Sequence, residues 1–205
     1  CERTAKHLGD LIGAAATFNE PNIPLLLRWM FAAMPQNPFQ GAQALLQAAA
    51  HKVGSDRFSF FILADPERSR DTMLPAHHRA LAALKSGPGR YPVGVTLAIQ
   101  DEQAVGPDSR RDAKREELYG AWLDAAGKSD FVGVQTYTRV RIGPDGPRQP
   151  APTARVTQMG WEYWPEALEA CIRRAHALAG IPVLVTENGI AIDDDRERIE
   201  YVERA

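Results

Sequence analysis

Two carboxylates in this sequence stand where an apolar run stops. Glu187 closes the run that begins at Val183 (VLVTENG), and Glu20 closes the run from Leu11 (LIGAAATFNE), with Pro21 directly after it. Two carboxyls at strand ends can divide labour, one exchanging a proton while the other attacks an electrophilic carbon. In barrels of parallel strands and outer helices, the C-terminal strand ends are where chemistry is done. Val183-Leu184-Val185 lacks the alternation of a half-exposed strand and reads as a strand buried on both faces. Asn188-Gly189 is equally a favoured two-residue turn, with Ile190-Ala191-Ile192 as the return strand of a hairpin. That stretch alone leaves both readings open. The second run tips the balance, because Pro21 keeps Glu20 out of the helical region and predicts an extended residue closing a strand.

The elements that must position these carboxylates follow in alternation. Glu2 to Gly9 reads as a helix end, Leu11 to Phe18 as a strand, and Phe39 to Lys52 as a helix. The connection from Pro21 to about Asp71 is expected to pass over the active face as a long excursion, with Phe58 to Leu63 of ambiguous type. Thr72 to Ser86 is a predicted helix with a partly apolar face, Pro92 to Gln100 a buried strand, and Ser109 to Ala126 a charged helix stopped by Gly127. Phe131 to Thr138 is the third strand and Arg141 to Thr157 a Pro- and Gly-rich loop. Pro165 opens an amphipathic helix with Leu168, Cys171, Ile172, Ala175 and Leu178 on one stripe, ended by Gly180 just before the strand of Glu187. Strand and helix in strict alternation are the signature of a parallel α/β sheet.

In order and context, Thr17 to Pro21 (TFNEP) and Val185 to Gly189 (VTENG) resemble the acid/base and nucleophile motifs of glycoside hydrolase family 1, the β-glucosidase family. Asp130 to Arg139 (DFVGVQTYTR) looks like that family's sixth barrel strand. Met159-Gly160-Trp161-Glu162 with Pro165-Glu166 is similar to its MGWE and PE segment, and Arg198-Ile199-Glu200-Tyr201 to its RIEY helix start. The resemblance implies an α/β fold, a (β/α)8 TIM barrel, of which the 205 residues form one partial barrel domain of four βα units corresponding to strands 4 to 7. It implies a retaining β-glycosidase, in the first place a β-glucosidase, with Glu187 as nucleophile and Glu20 as general acid and then base. Retention needs both carboxyls because one protonates the leaving oxygen while the other attacks the anomeric carbon. By the same resemblance Asn19 bonds the sugar 2-hydroxyl, Tyr137 holds the nucleophile, and Trp161 floors the leaving-group subsite. Gln135 departs from the pattern: QTYT stands where the family commonly has NYYT, and the extra methylene puts aglycone preference in doubt. The contrasting reading is a non-catalytic barrel fragment that binds carbohydrate or a partner chain, or a half-barrel active only when completed.

Composition narrows the partners. With 44% hydrophobic and 24% charged residues the chain reads as an ordinary globular unit, and its formal charge of -2 predicts neither nucleic acid nor an acidic membrane as partner. No apolar run approaches the ~18 to 20 residues of a membrane span. Cys1 and Cys171 make no disulfide framework or metal spacing, which fits a reducing, cytoplasmic compartment. The absence of an initial Met leaves a signal peptide open. The implied partner is a small-molecule β-glycoside or oligosaccharide, and open barrel edges leave self-association possible. His77 and His78 point ~100° apart on a helix, so shared metal ligation is not expected. Asp193-Asp194-Asp195 lacks the glycine of a calcium loop and reads as a helix start. Arg110, Arg111, Lys114 and Arg115 alternate with acidic residues and read as a solvated, ion-paired face. No metal or organic cofactor is implied.

Overall fold

The computed structural model describes residues 1–31 and 38–205, the side chains of 38–41 excepted; residues 32–37, within the long excursion, lie outside the described residues. In chain order the elements are α1 (Glu2–Leu8), β1 (Ala15–Asn19), α2 (Ile23–Phe31), α3 (Pro38–Lys52), α4 (Pro66–Lys85), β2 (Val93–Ala98) and β3 (Asp101–Ala104). Then come α5 (Arg111–Arg115), a π-helical turn (Glu116–Gly120), α6 (Ala121–Ala126), β4 (Phe131–Thr136), β5 (Arg139–Gly143), β6 (Gly146–Arg148), α7 (Ala167–Ala179), β7 (Val183–Asn188) and α8 (Asp195–Arg204). Phe61–Leu63, the ambiguous run, is a 3-10 turn. α4 starts earlier than its periodicity suggests, because Asp65 accepts a bond from the Arg68 N–H at 2.7 Å and Pro66 fits the first turn.

The main sheet is wholly parallel in the order β1-β2-β4-β7. Val95 and Leu97 of β2 and Val132 and Val134 of β4 face outward, where they pack with Leu118, Trp122 and Leu123 of the π-turn and α6 and with Cys171 and Ala175 of α7. The opposite, inward face carries small and polar residues, among them Thr96, Gly133 and Gln135. A Cβ on Gly133 would lie 2.5 Å from Thr96 Cγ2 and 3.0 Å from Thr186 Oγ1, so only glycine lets the strands close over this face.

Four expectations need correction. Val183-Leu184-Val185 is not buried on both faces: Leu184 is 46% and Val185 43% exposed, because β7 is an edge strand with no neighbour beyond it among the described residues, whereas β2 and β4 are central and buried throughout. Leu178, placed on the buried stripe of α7, is exposed while Cys171 and Ala175 are buried. The expected loop after Arg141 holds part of a second sheet, order β3-β5-β6. There β5 and β6 form a hairpin through Pro144-Asp145, and Val140 and Ile142 supply its alternation.

The charged helix is likewise not simply a solvated face. Lys114 is fully buried and donates to Glu102 Oε1 at 3.0 Å and to Gln100 Oε1 at 2.8 Å. Glu102, also buried, further meets Arg174 at 3.0 Å, Arg115 at 3.3 Å and the Tyr119 hydroxyl at 2.5 Å. Burial alone would push its carboxyl up, but Lys114 and Arg174 outweigh burial and hold it below the ordinary value. No helix of the described residues is long and apolar enough to cross a membrane.

Candidate active site

Each carboxylate arm carries one extra residue in its strand. Along β1 the pairing runs from Ala16 opposite Gly94 to Asn19 opposite Thr96, three steps against two. Along β7 it runs from Val185 opposite Val134 to Glu187 opposite Gln135, two steps against one. A one-residue bulge inverts the side-chain alternation beyond it. Thr17, within the first bulge, reaches outward to His77 Nδ1 at 2.7 Å, whereas Asn19, beyond it, turns inward. The VLVT and AATF runs thus pack or pair as ordinary strand while Asn19 and Glu187 are re-aimed at the same spot.

That spot lies over β4. Gln135 Nε2 donates to Asn19 Oδ1 at 2.9 Å and to Glu187 Oε1 at 2.7 Å. In a flat sheet, strands three places apart are separated by roughly 14 Å. One nitrogen can touch both arms only because the sheet curls strongly, as a barrel wall does. Thr96 Oγ1 lies 3.1 Å from Asn19 Oδ1 and fixes it further. Tyr137 donates its hydroxyl to Glu187 Oε2, so both oxygens of that carboxylate are held. Burial first, and then the bond to Glu187, push the Tyr137 hydroxyl well above its ordinary value, so it remains a donor.

Glu20 differs from expectation in its backbone. It is not extended but left-handed, with φ of 47°, the one positive φ among the described non-glycine residues. Pro21 does exclude the right-handed helical region, and the chain takes the other compact region instead. The Glu20 N–H donates to Thr96 O at 2.9 Å. Beyond it, buried Asn22 pairs through its amide with both backbone groups of Ala98, at 2.8 and 3.1 Å, which locks the bend before α2 begins. The carboxyl is half-buried. Burial, and next the charge of Glu187, raise its pKa.

Trp161 sits beside this group, its ring 5.9 Å from that of Tyr137. Its backbone is set by the bond from Thr157 N at 2.8 Å and by neighbouring Glu162, which Arg139 grips with two bonds of 2.7 and 2.9 Å. Two cavities meet at Tyr137 and Trp161. One of about 220 Å³ lies on the Glu20 side and another of about 400 Å³ on the Asn188 side. A larger space of about 770 Å³ opens at the far end of the sheet, where Pro92 and Asp130 precede β2 and β4, away from both carboxylates.

All six residues expected at the site therefore gather at one end of the sheet. Gln135, the departure from the family pattern, bridges the two arms through its amide. Thr96 and Asn22 were missed, and no local motif marks them. Among the described residues no cluster of three His, Cys, Asp or Glu could hold a metal. His77 is buried between the Thr17 and Ser129 hydroxyls, apart from His78 in role.

No protein-family profile matches the chain. By sequence it is 25% identical to a β-galactosidase of Sulfolobus acidocaldarius over 95% of this chain and 42% of that protein, and 26% identical to a β-galactosidase of Saccharolobus solfataricus over 66% and 35%. Among solved structures it superposes on an apo β-glucosidase, designated 1317, with a TM-score of 0.92 and 38% identity, covering 100% of this chain and 50% of that one. A β-glycosidase designated BGL167 gives a TM-score of 0.88 and 40% identity, over 99% and 49%. The chain spans about half the length of these relatives or less. Its fold is accordingly part of a TIM barrel, four parallel βα units, and the proteins it resembles along its whole length are glycosidases.

Proposed function

We propose that this chain carries the catalytic half of a retaining β-glycosidase of glycoside hydrolase family 1, in the first place a β-glucosidase. The observation that supports it most is the bridge of Gln135 Nε2 to Asn19 and Glu187, which draws two distant carboxylate-bearing arms onto one point. Glu187, oriented by Tyr137, attacks the anomeric carbon as the bond from that carbon to the leaving oxygen breaks. Glu20 gives its proton to that oxygen. The raised pKa of Glu20 keeps this proton available. Once Glu187 is esterified its charge is gone, and one of the two causes that raise the Glu20 pKa disappears. Glu20 then takes a proton from water, which attacks the same carbon and frees Glu187. Asn19, beside Glu20, is suited to the sugar 2-hydroxyl.

The relatives bear both galactosidase and glucosidase names, so the sugar is a matter for experiment. Exposed Leu184 and Val185 at the β7 edge favour one added condition, that activity requires further strands to close the barrel. Binding energy from such strands would hold the anomeric carbon against Glu187. The test is intact-mass analysis of the full-length protein after incubation with activated 2-deoxy-2-fluoro-β-glucoside and its galactoside counterpart. An adduct mapped to Glu187 is expected. An adduct on another residue, or none with either sugar on folded protein, overturns the assignment.

A further inference from the structure

His77 is fully buried between α4 and the outer face of the sheet, and no step of the proposed chemistry uses it. A histidine in such a layer needs a partner for each ring nitrogen, and one of those partners belongs to an arm of the site. We infer that His77 is a positioning residue for the general acid: through the Thr17 hydroxyl it holds the bulge of β1 in the shape that aims Asn19 and Glu20. This rests on the glycosidase function proposed for the chain.

A bulge interrupts the ladder that defines a regular strand, so something else must fix its shape. Between Ala16, opposite Gly94, and Asn19, opposite Thr96, the two residues Thr17 and Phe18 stand against Val95 alone. Side chains hold this stretch. Thr17 Oγ1 lies 3.2 Å from Gly94 O and 2.7 Å from His77 Nδ1. Thr96 Oγ1 lies 3.3 Å from Phe18 O and 3.1 Å from Asn19 Oδ1. The bulge is thus tied from the helix side at its first residue and from the inner side at its second. Glu20 follows one residue later, in its left-handed conformation, and any slack in the bulge passes directly to its carboxyl.

The ring can serve as an anchor because it is itself fixed. Its Nε2 lies 3.3 Å from Ser129 Oγ, the ring bonds to the Ala125 backbone, and the Trp122 ring packs edge-on with centroids 6.4 Å apart. Ala125 and Ser129 flank the turn from α6 into β4, the strand of Gln135. His77 therefore refers the Glu20 arm to the same strand that bridges both arms. Burial first, and then neighbouring His78, hold the imidazole below its ordinary value. A neutral ring offers one donor and one acceptor, which suits two hydroxyl partners on different elements. Glu187 depends on other groups, since it stands three strands along the sheet and is held by Tyr137 and Gln135. A fault at His77 should accordingly fall on the proton donor and spare the nucleophile.

The experiment separates these two on the full-length protein by varying the leaving group. Dinitrophenolate departs without a proton, whereas phenolate needs the general acid, and kcat/KM reports the steps through that first bond cleavage. Rates are taken per active site, titrated with the 2-deoxy-2-fluoro inactivator, so that unfolded molecules drop out. Thr17→Val keeps the shape of the side chain and removes its hydroxyl; His77→Leu removes the anchor. Both are expected to lower kcat/KM for the phenyl glycoside roughly tenfold and that for the dinitrophenyl glycoside by less than about twofold. His77→Asn, whose amide can reach the place of Nδ1, should recover much of the loss seen with Leu. Equal losses on both substrates, no loss on either, or an Asn variant no better than Leu overturns the inference and leaves the glycosidase reading standing. A parent enzyme that turns over no dinitrophenyl glycoside of glucose, galactose or fucose overturns that reading and the inference together. Should the His77 variants fail to fold, Thr17→Val carries the comparison alone.

Discussion

Tyr137 and Glu187 lie on neighbouring strand ends, and the tyrosine hydroxyl donates to Oε2 while Gln135 holds Oε1 of the same carboxylate. This fixes the plane of the carboxylate and the direction of its free lone pairs. Replacing Tyr137 by Phe removes one donor and nothing of the ring that packs against Trp161. In the proposed mechanism the loss falls on positioning of the nucleophile. About 10²-fold lower kcat with a much smaller change in KM is expected, measured by steady-state kinetics on an aryl glycoside. An unchanged kcat would remove Tyr137 from the mechanism.

Gln135 invites a finer test, because its extra methylene over Asn is what lets one amide reach both arms. Gln135→Asn keeps the chemistry and shortens the reach, so the nitrogen can serve Asn19 or Glu187 but not both. Activity should fall roughly tenfold, and Asn19→Ala should cost less in that background than in the parent. Additive losses would mean that the bridge has no coupling role.

Glu20 makes a prediction with a definite sign. Burial, the larger cause, and the charge of Glu187 both raise its pKa above the ordinary 4.5. In Glu187→Gln the second cause vanishes and the first remains. The titration of Glu20, followed by carboxyl carbon NMR, should move down without returning to the ordinary value. Stability follows the same linkage. A carboxyl whose folded pKa is raised favours folding while protonated, and that contribution is lost as pH rises through the folded pKa. Glu20→Gln should therefore melt at a higher temperature than the parent at pH 7, while losing the acid/base function. A lower melting temperature would contradict the burial argument.

How much of this was readable from the sequence depended on how local the signal was. TFNEP and VTENG are contiguous, and the residue types that end each strand are the ones that do the chemistry, so Glu20 and Glu187 could be placed at strand ends. The bulges that aim Asn19 and Glu187 inward are not written in any residue type; they appear only when the register against β2 and β4 is known. The β5–β6 hairpin did leave a signal, VRIGPDGPR, with alternating Val140 and Ile142 ahead of a Pro-Asp-Gly turn. Lys114 was misread because its neighbours Arg111 and Asp112 are solvent-facing. Its own burial is set by Glu102, a residue on another element.

That buried cluster carries a stability prediction. Glu102 neutralises Lys114 and part of Arg174 in a site closed to water, and Glu102→Gln leaves Lys114 charged, buried and short of a counter-ion. The expected cost is about 3–5 kcal/mol by chemical denaturation. Adding Lys114→Met should recover much of it, since removing both charges is far cheaper than removing one. The sign with pH is opposite to that of Glu20. The Glu102 carboxyl is held below its ordinary 4.5, so its contribution is present above that value and is lost as pH falls through the lowered pKa. Denaturation midpoints should drop with acid below about pH 4.5 in the parent and less steeply in the double variant.

The β7 edge bears on the physical state of these 205 residues on their own. Leu184 and Val185 are adjacent in sequence, so they project to opposite faces of the strand, and both are more than two-fifths exposed. β7 pairs with β4 on one side only, and the N–H and C=O groups of its other side have no strand partner among the described residues. β1 is in the same position at the far edge. An exposed apolar strand with a free hydrogen-bonding edge is a template for another strand; among the described residues β7 is such a strand, and β1 leaves the main sheet a second free edge. The isolated segment should show a sedimentation coefficient that rises with concentration, whereas Val185→Lys, which puts a charge on the edge, should lower the association at equal concentration. A parent that sediments as a single monomer across the range would mean that the edges are covered in some other way, and that closing the barrel is not what the exposed β7 residues await.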